Sequence, residues 1–221
     1  MVFAFSLEST QHQFGHGSGS LPRLIIVLGV LALIWFAAKY FGVIAHEGAH
    51  AIAGWSMGRK VASVKLNSDA TGVTFIQGPG KGPGTIFTAF VGYLGPSFFG
   101  LAAAALISLG YPEAVLWITL LLLTVMLFRV RNFFGVISVL VNGVLLVVIL
   151  SYGSVKLQVV AAYVLSWFLL LSGVGVVLTH GSNAGDAANL RRITHLPRFL
   201  WSLLWLVITV AALAVGARLL T

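Results

Sequence analysis

The sequence predicts an all-α polytopic membrane protein with about seven transmembrane helices and a small β-hairpin after the second helix. Three observations predict this class: 59% of the 221 residues are hydrophobic, only 8% are charged, and the apolar residues fall in long runs. A soluble domain of this length needs a polar exterior, whereas segments that face lipid do not. Because no water is present in the bilayer core, such segments must satisfy their own backbone hydrogen bonds, and they form helices.

Seven apolar runs define the predicted spans, since one crossing requires ~20 residues. The runs are Leu24–Ala38, Phe41–Met57, Thr85–Leu109, Ala114–Phe128, Phe133–Leu150, Val155–Thr179 and Phe199–Ala217. Only Lys39 and Tyr40 separate the first two runs, so a tight helical hairpin and one long helix bent near Gly42 are alternatives there. Residues 1–21 are predicted to be a disordered polar tail, and residues 22–221 a single transmembrane domain.

The basic residues act as topology signals. The net charge is +8, but the thirteen Lys and Arg residues are spread through short loops, which argues against a nucleic-acid partner and for a lipid bilayer. With seven spans and a cytoplasmic N-terminus, ten basic residues lie inside and three lie outside. The chain has no cysteine, so neither disulfides nor thiolate metal ligands are available.

The longest loop between predicted spans is expected to contain a β-hairpin. Apolar and polar residues alternate from Ala62 to Leu66, turn-forming residues occupy 68–72, and β-prone residues follow up to Ile76. The sequence from Gln77 to Gly84 is rich in Gly and Pro and is predicted to lack regular structure. We therefore expect the hairpin between Val61 and Ile76.

The second apolar run contains the sequence His46-Glu47-Gly48-Ala49-His50. In a helix, His46 and His50 share one face and can bind one metal ion, while Glu47 projects beside them as a general base. Short patterns of this kind also arise by chance. Charged groups inside a membrane helix are costly, however, by ~2.5–3.5 kcal/mol at its centre, and usually serve a function.

A catalytic zinc ion with two histidine ligands needs a third protein ligand. Asp186, among the small residues between the sixth and seventh spans, is one candidate, although it also suits a helix N-cap or a salt bridge with a neighbouring arginine. His180 and His195 are competing ligands. The remaining acidic residues all have local roles, in the tail, the hairpin turn or a helix start: Glu8, Asp69 and Glu113.

Two further residues are candidates for contact with a substrate. Pro96, after Gly95, is expected to kink the third span and free a backbone carbonyl. Asn142 is a polar side chain in the fifth span, with helix packing as the alternative role.

The chain resembles the site-2 protease family of intramembrane zinc metalloproteases, most closely its small bacterial branch without a PDZ domain. The resemblance rests on four features: His46 to His50, the hairpin-like loop, Gly92-Tyr-Leu-Gly-Pro96, and Asp186-Ala-Ala-Asn-Leu190 followed by Thr194-His-Leu-Pro197. It implies one Zn²⁺ ion held by His46, His50 and Asp186, with Glu47 as the general base. It also implies membrane-protein substrates and a bacterial cell membrane.

Several functions remain open to this sequence. A substrate helix must be unwound before cleavage, and the hairpin either binds the extended segment by strand addition or acts only as a connector. A multi-span transporter, a zinc-dependent hydrolase of lipid-like substrates, and a catalytically degenerate zinc-binding membrane protein are the alternatives to a protease. The sequence does not indicate an oligomeric state.

Overall fold

The computed structural model describes residues 20–180 and 185–221, which form seven helices and one two-stranded antiparallel sheet. This arrangement confirms the predicted helical membrane fold with a small hairpin. The elements are α1 (Ser20–Ser56), β1 (Val61–Leu66), β2 (Gly72–Ile76), α2 (Pro83–Ser108), α3 (Pro112–Leu127), α4 (Phe133–Tyr152), α5 (Val155–His180), α6 (Gly185–Thr194) and α7 (Arg198–Leu220).

The predicted first and second spans are wrong as separate helices, because both lie within the single helix α1. Neither Lys39 nor Tyr40 breaks a helix, and a lone glycine such as Gly42 costs only about 1 kcal/mol in one. Gly42 instead permits close packing, because a Cβ there would lie 2.6 Å from the Ser172 Oγ atom of α5. The predicted disordered tail falls largely on residues 1–19, outside the described residues.

Five of the described helices are long and apolar enough to cross a membrane: α1, α2, α4, α5 and α7. Helix α3 is apolar but has only 16 residues, and the ten-residue helix α6 was not predicted. These helices support an integral membrane protein with fewer long spans than the seven predicted. The chain divides into two compact units, residues 1–38 and residues 39–221.

The β-hairpin is held on one edge by the connection between α3 and α4. Strand β1 pairs with β2 from Val61 opposite Ile76 to Leu66 opposite Gly72, with an irregularity near Ser63. On its other edge, the Val64 N–H donates to the Arg129 carbonyl, and the Arg131 N–H donates to the Val64 carbonyl. Both edges of β1 are therefore occupied, whereas among the described residues β2 pairs only with β1.

Helix α2 is the central helix of unit 39–221 and packs against α3, α5, α6 and α7. Its buried positions are mostly small residues, which let neighbouring backbones approach closely. A Cβ on Gly95 would lie 2.9 Å from the Ala45 carbonyl of α1, and one on Gly100 would lie 2.8 Å from the Leu170 nitrogen of α5. This close packing places α2 directly beside the histidine pair of α1.

Candidate active site

The two histidines of α1 converge on one point. His46 and His50 are four residues apart in the helix, and their Nε2 atoms are 3.1 Å apart. The rings meet edge to face, with centroids 4.7 Å apart. The spacing of the two residues in the sequence produces this pair without help from any other element.

Asp186 joins the pair from α6. Its Oδ2 atom lies 3.1 Å from His50 Nε2 and 3.3 Å from His46 Nε2. Helix α6 is anchored by Ala187 and Leu190, both completely buried. Burial of the Asp186 carboxyl disfavours its charge, but His50 and His46, where their rings carry protons toward it, lower its pKa below the ordinary value. One carboxylate and two imidazoles form a donor set common in zinc sites.

The donor set fits a metal ion. The His50 Nδ1 atom lies 2.7 Å from the Thr88 carbonyl, so it carries a proton and leaves an Nε2 lone pair directed at His46 and Asp186. The ligand atoms of the three residues lie within 4.8 Å of one another. Two ligands of a tetrahedral zinc ion, each ~2.0–2.2 Å from it, lie ~3.3–3.6 Å apart, close to the separations found here.

Helix α2 packs against both histidines. A Cβ on Gly92 would collide with the His50 ring, so only glycine leaves room for that ring. The next residue, Tyr93, packs edge to face on the His46 ring with centroids 4.9 Å apart. Tyr93 in turn stacks on Trp205 of α7, whose Nε1–H donates to the Phe90 carbonyl. The buried His46 Nδ1 has no hydrogen-bond partner among the described residues, so ring packing orients this side chain.

Glu47 belongs to the same site but not to the three-residue cluster. Its side chain is buried, with 2% exposed, and it contacts the hairpin. The Thr74 hydroxyl donates to Glu47 Oε2 over 2.5 Å. Glu47 is thus a buried carboxylate in the same cavity as the His–His–Asp cluster but outside it.

The His–His–Asp cluster, Glu47 and their partners Thr74 and Thr88 line one cavity of about 660 Å³. Its walls come from α1, β2, the loop before α2, α2 itself, α5 and α6, and it includes both Glu47 and Asp186. This volume lies within the range of ~300–1,000 Å³ typical of ligand sites. The remaining charged residues of its wall are Arg59 and Arg192.

The other candidate residues of the sequence lie elsewhere. Asp69 accepts hydrogen bonds from Thr71 in the hairpin turn, which lower its pKa, and Glu113 lies in the first turn of α3. His195 is exposed after α6 at a φ of 62° and does not join the cluster. The His180 side chain is outside the described residues.

Neither Pro96 nor Asn142 lines the cavity. Pro96 is fully buried within α2. The Asn142 amide donates to the Ser138 carbonyl of its own helix, α4. A contact with substrate through either residue remains a prediction to which this geometry adds no support.

Sequence reasoning missed several supporting residues. Thr74 and Thr88 gave no signal, because an isolated threonine carries no recognisable pattern. Gly92 and Tyr93 were part of the motif that carried the family resemblance, but no position in that motif indicated a contact with a particular histidine. Asn189 shares the cavity wall with Asp186, three residues along the same helix.

The apolar helices and the His–His–Asp cluster define a class: an integral membrane protein with a candidate metal centre. A protein-family model described as Peptidase M50B-like matches residues 23–216, and the chain belongs to this site-2 protease family. The family resemblance stated from the motifs is thereby confirmed. Comparisons with curated proteins and with solved structures gave no significant match.

Proposed function

We propose that the protein is a zinc-dependent intramembrane endopeptidase that hydrolyses peptide bonds of membrane-embedded substrates. The observation that carries the proposal is one cavity with three convergent nitrogen and oxygen atoms, a separate carboxylate and a strand edge that no other described strand pairs with. Membership of a peptidase family and the apolar helices agree with it.

His46, His50 and Asp186 would hold one zinc ion. When bound, zinc lowers the pKa of a water ligand to ~7 and polarises a carbonyl group. Glu47 accepts the proton from the attacking water and delivers it to the leaving amine nitrogen as the C–N bond breaks. The products are a carboxylate and an amine. The Thr88 carbonyl keeps His50 in the tautomer that binds metal.

The free edge of β2 suits an extended substrate. The Asn67 N–H donates to the Thr71 carbonyl, and the Gln77 N–H donates to the Lys60 carbonyl. Because hydrogen-bonded and non-hydrogen-bonded pairs alternate along an antiparallel ladder, the backbone groups of Gly72, Thr74 and Ile76 point away from β1. A substrate segment that adds to this edge regains the backbone hydrogen bonds it loses on unwinding.

We propose further that the end of the protein that carries the hairpin faces the cytoplasm. The family resemblance implies that the cell is bacterial. The connection after α3 bonds to β1, and α6 reaches His50, so these connections share one end of unit 39–221. Nine basic residues belong to this end: Arg59, Lys60, Lys65, Lys81, Arg129, Arg131, Arg191, Arg192 and Arg198. Positive charge concentrates on the cytoplasmic side of membrane proteins.

Replacement of Glu47 with glutamine tests the proposed reaction. Glutamine fills the same space but cannot accept the proton, so we expect stoichiometric zinc and turnover reduced by about 10²–10⁴-fold or more. Zinc content is measured on purified protein, and cleavage is measured on a panel of single-span membrane substrates.

The parent protein is the control in this experiment. Retained activity in Glu47→Gln contradicts water activation by this residue. Zinc in the parent without cleavage of any substrate identifies a catalytically degenerate zinc-binding protein, and a parent without zinc contradicts the metal centre.

A further inference from the structure

Strand β2 packs against the Glu47 carboxylate at two positions, Thr74 and Gly72. The Thr74 hydroxyl donates to Oε2 and also lies 3.2 Å from the Glu47 main-chain carbonyl. On the same face of the strand, a Cβ on Gly72 would lie 2.6 Å from Glu47 Cγ and Oε1. Thr74 therefore donates a hydrogen bond to the carboxylate, and Gly72 leaves the space that the carboxylate occupies.

These contacts restrict the conformation of the Glu47 side chain. Glutamate has three rotatable side-chain bonds, and fixing them costs conformational entropy that such contacts offset. A general base must reach one proton in one geometry, and a displacement of about 1 Å can reduce the rate by ~10²-fold. The Thr74 bond reaches the carboxylate from outside α1, since it joins residues 27 positions apart.

Building on the function proposed above, we propose that Thr74 is a positioning residue for Glu47, and that β2 thereby links substrate binding to the orientation of the general base. The Thr74 hydroxyl holds one carboxylate oxygen, and the absence of a side chain at Gly72 admits the other. The same two residues direct their backbone groups to the free edge of β2. A substrate strand paired there orders the segment that holds Glu47.

Replacement of Thr74 with valine tests this role, because valine keeps the shape and removes the hydroxyl. We expect kcat to fall by ~10–100-fold while KM changes little and zinc content stays stoichiometric. Thr74→Ser restores the hydroxyl and retains most of the parent kcat. The matched control is Thr124→Val, since the exposed Thr124 hydroxyl donates to the Leu120 carbonyl of its own helix, far along the chain from β2.

Three outcomes overturn the proposal: an unchanged kcat in Thr74→Val, an equal loss in Thr74→Val and Thr74→Ser, or a loss of zinc in Thr74→Val. Gly72→Ala provides a second variant, because its methyl group must displace the carboxylate. Its kcat should fall with zinc retained, whereas Gly143→Ala, which places a methyl group in open space, should not change kcat. Full kcat in Gly72→Ala contradicts the proposed positioning.

Thermal unfolding in detergent tests the contact independently of activity. Thr74→Val should lower Tm in the parent and lower it less in a Glu47→Ala background, because the hydrogen-bond acceptor is already absent there. Equal shifts in the two backgrounds overturn the contact. If the shifts differ but the parent cleaves no substrate, the proposed function fails together with the positioning role, and only the contact stands.

Discussion

At the scale of single residues, the site depends on which atoms can accept a cation. His50 is fixed by the Thr88 carbonyl on one ring nitrogen, so its other nitrogen faces His46 and Asp186 as a lone pair. The His46 Nε2 and Asp186 Oδ2 atoms lie 3.1 Å from that nitrogen and 3.3 Å from each other. Groups this close suit a cation or a proton held between them.

Replacement of Asp186 with alanine should reduce zinc affinity by ~100-fold or more, since loss of an outer-shell partner alone costs about 10–100-fold. The measurement is zinc stoichiometry after dialysis against a graded series of chelator concentrations. Asp69→Ala and Glu113→Ala are the controls and should keep zinc, because both side chains lie outside the cluster. Full zinc occupancy in Asp186→Ala, with loss in His180→Ala or His195→Ala, would show that the ligand assignment is wrong.

At the scale of elements, two glycines of α2 determine how closely it approaches the histidine helix. Gly95 lies against Ala45 and Ala49, and Gly92 lies against the His50 ring. Any side chain at either position requires α1 and α2 to separate, which typically costs about 1–3 kcal/mol. The distance between His50 Nδ1 and the Thr88 carbonyl depends on the same packing.

Gly92→Ala should therefore displace the His50 ring and lower zinc affinity by ~10–100-fold. Zinc stoichiometry and Tm are measured together on the purified variant. Gly143→Ala serves as the control, because a methyl group on Gly143 meets no atom within 4 Å. Normal zinc content in Gly92→Ala would contradict the close approach of α2 to His50.

At the scale of the whole molecule, the proposed orientation follows from which connections share an end. The hairpin, the connection between α3 and α4, and α6 lie at one end, and residues 153–154 between α4 and α5 lie at the other. In unit 39–221 the hairpin end has nine basic residues, and the rest of the unit has three, Lys39, Lys156 and Arg218. This difference favours a cytoplasmic location for the hairpin end.

Single cysteines at Ser68 and Ser154 should react with an impermeant thiol reagent from opposite sides of the membrane. The parent chain has no cysteine and provides an unlabelled control. Labelling of both positions from the same side would contradict the proposed arrangement of spans.

A third cysteine at Ser6 examines the predicted cytoplasmic N-terminus. That prediction rests on two separate spans before the hairpin, whereas the described chain has one helix there, α1. Labelling of Ser6 from the same side as Ser68 supports the original prediction, and labelling from the other side contradicts it.

The sequence by itself determined the membrane class, the hairpin and the histidine pair. Each depends on local regularities: an apolar run forces a helix in lipid, alternation forms a strand, and a spacing of four residues brings His46 and His50 onto one face. Helix boundaries were less certain where no residue breaks the helix. The continuity of α1 across Lys39 and Tyr40 was accordingly one of several alternatives.

Only the tertiary structure decided what surrounds the pair. Asp186 lies 136 residues from His50, and three candidate ligands were compatible with the sequence. The contacts of Thr88 with His50 and of Thr74 with Glu47 likewise join residues 38 and 27 positions apart. Such contacts depend on how closely α2 and the hairpin pack on α1, and that distance is fixed by side-chain volumes across the interface, which no periodic pattern in one segment encodes.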